Sequence, residues 1–99
     1  MAITWRVTGG AALVNLGGQL AHSDHAVFTQ ITREAATHPE VTEFILDFAA
    51  VAYLDSAGLG MLLLLRDRTA GKRVVLAHCI HGVKAVLKMA NFDKLFEIH

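Results

Sequence analysis

The stretch Val51-Ala-Tyr-Leu-Asp-Ser-Ala-Gly-Leu-Gly-Met-Leu-Leu-Leu-Leu-Arg66 decides how this chain is read. Its opening, Val51 to Leu54, is a short apolar run and reads as a strand that ends at Asp55. Ser56 then stands at the N-cap of a helix that begins near Ala57 and runs to about Thr69, with Gly71 where a helix C-terminus expects glycine. Five consecutive apolar residues, Met61 to Leu65, sweep about 400° around the axis at about 100° per residue, so they cannot all face one sheet. Leu59, Leu62 and Leu63 are expected against the sheet. Met61 and Leu64, with Arg68, then line an adjacent stripe, which is either a partner surface or ground that a neighbouring helix covers.

Working outward, Ile3 to Thr8 alternates apolar and polar residues as a half-buried strand does, Gly9-Gly10 signals a hairpin, and Ala11 to Leu16 reads as the second strand. Gly17-Gly18 breaks it. Ser23 or Asp24 can cap a helix running to about Thr37, with an apolar stripe of Val27, Phe28, Ile31 and Ala35, and His38-Pro39 ends it. Glu43 to Phe48 is a further strand, and Arg73 to Ala77 another. Val83, Val86, Leu87 and Ala90 mark a last helix that Asn91 can end, and Leu95 to Ile98 closes the chain as a short strand or tail. The order is β-β-α-β-β-α-β-α with that tail. It predicts an α/β fold: one domain over residues 1–99, with a mixed sheet of four to five strands and three to four helices.

Composition narrows the function. The 99 residues carry nine Lys+Arg and nine Asp+Glu, a formal net charge of zero. That balance argues against general nucleic-acid binding and against a polybasic membrane-surface module, both of which draw affinity from Lys and Arg. A 54% hydrophobic fraction excludes intrinsic disorder. The single cysteine, Cys79, cannot form an internal disulfide, and no signal peptide or membrane-length apolar run is present, so a cytoplasmic location is expected.

The chemistry centres on Ser56. Unpaired amides and the positive end of a helix dipole stabilise an anion at a helix N-terminus, so a phosphate on Ser56 has local donors, and it adds about −1.5 to −2 charges there. Gly58 and Gly60 lower the bulk around the hydroxyl and let another protein approach. The alternative is that Ser56 is a cap and nothing more, and that the glycines only help helix and sheet to pack.

Tyr53-Leu-Asp-Ser-Ala-Gly-Leu-Gly-Met-Leu-Leu63 resembles the signature of the STAS domain family, the anti-sigma factor antagonists. Leu16-Gly-Gly-Gln-Leu20 resembles that family's Gly-x-Leu segment, and Phe44-Ile-Leu-Asp-Phe48 its hydrophobic strand ending in Asp. Gly82 to Leu87 with Asn91 to Ile98 resembles its last helix and tail. The resemblance implies a protein switch rather than an enzyme, with no cofactor. Ser56 is then the residue phosphorylated by a serine kinase that doubles as the anti-sigma factor. The unphosphorylated form binds that partner and frees the sigma factor, and a metal-dependent serine phosphatase restores it. Asp55, Ala57, Gly58, Gly60, Met61 and Leu64, with the loop Gln19, Leu20, Ala21 and His22, are the expected partner contacts. One departure stands out: many members carry Asp where this chain has Ala21, with Asp24 as a surrogate only if the loop bends toward Ser56.

Rival readings are weaker. A STAS accessory subunit bound permanently to a transport ATPase, never phosphorylated, is the alternative function. Leu54-Asp-Ser-Ala-Gly58 lacks the first glycine of a nucleophile elbow, and nothing in the sequence places His22 or His25 beside Ser56. Gly58-x-Gly60 puts Leu63 where a dinucleotide fingerprint needs its third glycine. His22-x-x-His25 and His78-Cys-Ile-His81 lie far apart in sequence, and no metal is expected. Asp47 and Asp55 are expected to hold loop amides, and Cys79 to be a small buried hydrophobe.

Overall fold

Five strands form one mixed sheet in the order β1-β2-β3-β4-β5: β1 Thr4–Thr8, β2 Ala11–Asn15, β3 Glu43–Asp47, β4 Arg73–Ala77 and β5 Glu97–Ile98. The computed structural model describes residues 3–18, 20, 22–35, 37–69 and 71–99, and for His22 the backbone alone. Gly9 takes φ +58° in the tight turn that makes β1 and β2 antiparallel, with Trp5 opposite Val14 and Arg6 opposite Leu13. The remaining pairs are parallel, and they stack Leu13, Ile45 and Val75 in one row across the sheet.

Parallel neighbours need crossovers, and α1 His25–Ala35, α2 Ser56–Arg68 and α3 His81–Met89 supply them. The strand order advances in one direction, so right-handed crossovers put all three helices on the same face. Burial agrees. Ala12, Val14, Phe44, Leu46, Val74 and Leu76 alternate along the strands toward that face and share one core with Phe28, Ile31, Met61, Leu62, Leu65, Val83 and Leu87. Of the side chains that alternate to the other face, Leu13 and Ile45 are half-buried, Val75 is buried, and Thr4, Arg6, Thr8, Asn15 and Arg73 are exposed.

The expected α/β architecture is present, but Val51 to Leu54 is not a strand. β3 already has β2 on one edge and β4 on the other, so no sheet position remains beside it. The segment instead folds back on itself: the Phe48 amide donates to the Ala77 carbonyl at 2.9 Å, and the Val51 amide donates to the Phe48 carbonyl at 2.9 Å. Phe48, Val51 and Leu54, spaced by three, anchor the loop in the core, and Ala52 and Tyr53 stay outside. The fifth strand comes from the C-terminal tail. Asn91 ends α3 in the left-handed region at φ +62°, and the Phe92 and Phe96 rings pack 5.5 Å apart. The His99 amide donates to Leu76, and the Cys79 amide donates to the His99 carbonyl. In α1, Val27 is exposed and Thr32 takes the inward place, its hydroxyl donating to the Thr29 carbonyl at 2.9 Å.

Arg73 on β4 reaches the strands on either side of it, to Glu43 on β3 and Glu97 on β5. The His99 hydrogen bond, helped by the Arg73 guanidinium, holds the Glu97 carboxyl below its ordinary range. A depressed carboxylate contributes stability above its ordinary pKa and loses it as pH falls through the lowered value. Urea midpoints measured at about pH 7 and about pH 3 are expected to differ less in Glu97→Gln than in the parent protein. Leu46 is fully buried, and Leu46→Ala is expected to cost about 2–5 kcal/mol in urea unfolding.

Candidate functional site

The site is built where β3 hands over to α2. Asp47, at the end of β3, accepts the Ala49 amide on Oδ1 at 2.9 Å and turns the chain out of the sheet. At the far end of the loop, Asp55 adopts an extended backbone, φ −110° and ψ −176°, and its Oδ1 accepts the Gly58 amide at 3.0 Å. Its carbonyl accepts the Leu59 amide at 3.0 Å. Asp55 is therefore the N-cap, and Ser56, expected there from the sequence, is the first residue inside the helix. An anionic carboxylate at the positive end of a helix makes a stronger, charge-assisted bond than a hydroxyl does, which settles the choice between neighbours. Ser56 is relieved of capping and stands exposed. The amides of Ser56 and Ala57 lie in the first turn, where no carbonyl within the helix can serve them.

Gly17 and Gly18, at φ +69° and +151°, swing the chain after β2 toward the same helix end, and the Gly17 amide donates to Asn15 Oδ1 at 3.0 Å. A Cβ on Gly58 would fall 3.1 Å from the Leu20 carbonyl oxygen and 2.7 Å from Leu54 Cδ1. Gly58 is buried, so its missing side chain serves this packing and not the approach of a partner. Gly60 differs: a Cβ there meets nothing within 4 Å.

That close approach sets the rotation of α2. Counting from Gly58 in helical steps, Met61, Leu62 and Leu65 follow it into the core. Met61, expected on the surface, is 3% exposed, whereas Leu63, expected against the sheet, is 44% exposed. Leu64 is 39% exposed, as expected of a contact residue. Leu20, expected as a partner contact, is 2% exposed and belongs to the core. Ala57 is half-buried and Asp55 exposed. Gln19, Ala21 and the side chain of His22 lie outside the described residues, and Asp24 is buried in a 3-10 turn at His22–Asp24.

The exposed line along α2 is Ser56, Leu63 and Asp67, at offsets of seven and eleven residues, with the half-buried Gly60 between them and Leu64 beside it. Leu63 is the exposed residue of this line that sequence reasoning missed. Its spacing of seven from Ser56 was the available signal, hidden because the helix is apolar on every side. Elsewhere, Asp47 holds a loop amide as expected, whereas Asp55 holds an amide in the first turn of α2 instead of one in a loop. Burial pushes the Cys79 thiol up, with Lys84 partly opposing, so it stays a thiol at neutral pH. Among the described residues, no group of three or more His, Cys, Asp or Glu is placed to hold a metal ion.

Three substitutions separate these roles. Gly58→Ala is expected to destabilise the fold by about 1–3 kcal/mol, because the Leu54 methyl can turn away but the Leu20 carbonyl is backbone. Gly60→Ala, in open space inside a helix, is expected to stabilise it by about 0.5–1 kcal/mol. Asp55→Ala is expected to cost about 0.5–2 kcal/mol for the lost cap. Denaturant unfolding measures all three.

Comparison with known proteins bears on the family and the fold. The family profile described as "Mlab, STAS domain" matches residues 3–97. A STAS-domain containing protein of Pseudomonas aeruginosa (strain UCBPP-PA14) is 34% identical over 92 residues, covering 91% of this chain and 89% of its own length. The anti-sigma factor antagonist SpoIIAA in its unphosphorylated form superposes with a TM-score of 0.74 at 20% identity, over 99% of this chain and 87% of its own. The phosphorylated form of the Bacillus cell fate determinant SpoIIAA gives 0.73 at 20% identity, over 99% and 91%. An anti-sigma factor antagonist from Mycobacterium paratuberculosis gives 0.78 at 17% identity, over 99% and 84%. Those structures share the fold, and the profile and the curated relative carry the assignment: the chain belongs to the STAS domain family.

Proposed function

We propose that this chain is an anti-sigma factor antagonist that binds a serine kinase-type anti-sigma factor when unphosphorylated and is released by phosphorylation of Ser56. The observation that carries the reading is an exposed serine at the first residue of α2, freed from capping by Asp55 and heading a stripe of half-buried Gly60 and exposed Leu63 and Leu64. Leu63 and Leu64 supply the apolar part of the contact, and Gly60 admits the partner's backbone. Asp55 and Ala57 flank the hydroxyl.

The switch is electrostatic. A phosphate on Ser56 brings about −1.5 to −2 charges into the contact, beside the carboxylate of Asp55. Taking that charge out of water without a paired cation costs several kcal/mol, and about 1.4 kcal/mol already lowers affinity tenfold. The amides of Ser56 and Ala57 hold the phosphate on the protein without neutralising it for the partner. A serine phosphatase reverses the state. The protein acts as a binding partner in the cytoplasm and performs no chemistry of its own, with no direct contact to nucleic acid and no membrane insertion. Among the described residues, no helix is long and apolar enough to cross a membrane.

A second reading draws on the same stripe. Exposed Leu63 and Leu64 also suit a permanent seat on a larger assembly, such as a transport ATPase, with Ser56 left unmodified.

Incubation with the cognate kinase and ATP, resolved on a phosphate-affinity gel, is expected to give one shifted band that Ser56→Ala abolishes. Ser56→Asp is expected to bind the anti-sigma factor about tenfold or more weakly, measured by calorimetry. No shift, or equal binding by Ser56→Asp, overturns the switch. Recovery of a transporter ATPase in place of a kinase supports the second reading.

A further inference from the structure

The helix-free face of the sheet is the largest feature that the α2 site leaves unused. Sheets of parallel strands are ordinarily covered by helices on both faces, and here β2 to β5 are parallel and covered on one. The uncovered face is apolar along its middle: Leu13 and Ile45 are half-buried, and Val75 is buried without joining the main core. A shallow cavity of about 530 Å³ opens on it, floored by Leu13, Ile45 and Ala77 and rimmed by Arg6, Asn15 and Asp47.

Two charges at this cavity are available to a ligand. Arg73 on the same face is committed to Glu43 and Glu97. Arg6 is exposed and makes no ion pair among the described residues, and Asp47 commits one carboxylate oxygen to the Ala49 amide. Arg6 and Asp47 lie two strands and two residue rows apart, which at about 4.8 Å and about 3.3 Å per step places their Cα atoms about 11–12 Å apart. Two turns of an α-helix span about 11 Å, so residues i and i+7 on one helix face match that separation.

We propose that this face receives an amphipathic helix of a partner protein, which sets an acidic side chain over Arg6, a basic one over Asp47 seven residues away, and apolar residues between them over Leu13 and Ile45. A second copy of the chain fits less well. A two-fold axis along β3 brings Asp47 against Asp47 and Glu43 against Glu43. Antiparallel pairing of the β1 edges about Arg6 sets Arg6 opposite Arg6, and like charges directly opposite repel. The inference is independent of the Ser56 switch, because α2 lies on the opposite face.

The test uses the full chain and a synthetic helical peptide of about 18 residues, with Glu and Lys seven apart and Leu at the two positions between them on the same face. A control peptide has Gln at both charged positions. Methyl and amide NMR shifts are followed up to about 1 mM peptide. Saturable shifts at Leu13, Ile45 and Ala77 are expected. The preference over the control is expected to be about threefold to tenfold, the yield of two exposed ion pairs. The uncharged protein, Arg6→Gln with Asp47→Asn, is expected to bind the two peptides equally. Should Asp47→Asn disturb the loop through its Ala49 bond, Arg6→Gln alone is expected to lose a large part of the preference. Absence of saturable shifts, shifts confined to Leu63 and Leu64, or an unaltered preference in the variants overturns the proposal. Shifts of the same methyls with protein concentration alone assign the face to a second copy and overturn it as well.

Discussion

The site depends on one close approach, the backbone of Gly58 against the carbonyl of Leu20. A Cβ at residue 58 would press on that carbonyl at 3.1 Å, so helix α2 and the segment after β2 meet at glycine distance. The contact fixes which residues of an otherwise apolar helix turn inward: Gly58, Met61, Leu62 and Leu65 form the buried row. Everything on the opposite side of α2 follows, including the exposure of Ser56 and Leu63. The same contact ties the Leu20 backbone to the helix end that carries the serine.

A second constraint is electrostatic. The helix N-terminus has more amide donors than the backbone can satisfy, and the Asp55 side chain serves one of them, that of Gly58, while its carbonyl accepts the first bond within the helix. Capping by the neighbour leaves the Ser56 hydroxyl without a structural duty. On the proposed reading, this division of labour makes the serine modifiable at little cost to the fold. The neutral chain provides a quiet background against which a single phosphate is a large local change.

The one-sided placement of the helices gives the molecule two faces of different character. One carries α2 and the serine. The other is a bare sheet with an apolar centre and two charges, Arg6 and Asp47, at its cavity. A chain of 99 residues has room for one core only, so both surfaces are laid on the same five strands. A contact on either face leaves the other open.

Local pattern carried much of this. The alternation of Ile3 to Thr8, the Gly9-Gly10 turn, the apolar runs of β3 and β4 and the inward positions Val83 and Leu87 all report the period of their own element, and each matches the structure. The motif around Ser56 placed the serine at a helix start for the same reason. Other questions had no local answer. Val51 to Leu54 has the composition of a strand, but whether a strand forms there depends on a vacant sheet edge, and β2 and β4 occupy both edges of β3. Capping passed to Asp55 because the two neighbours compete for one set of amides, and backbone geometry decides between them. Met61 and Leu63 exchanged places because a helix apolar all round has no periodicity to read. Sequence by itself determined the elements and the chemistry at the head of α2. Only the tertiary structure decided the rotation of that helix, since the contact that sets it joins residues 20 and 58, which no period along the chain connects.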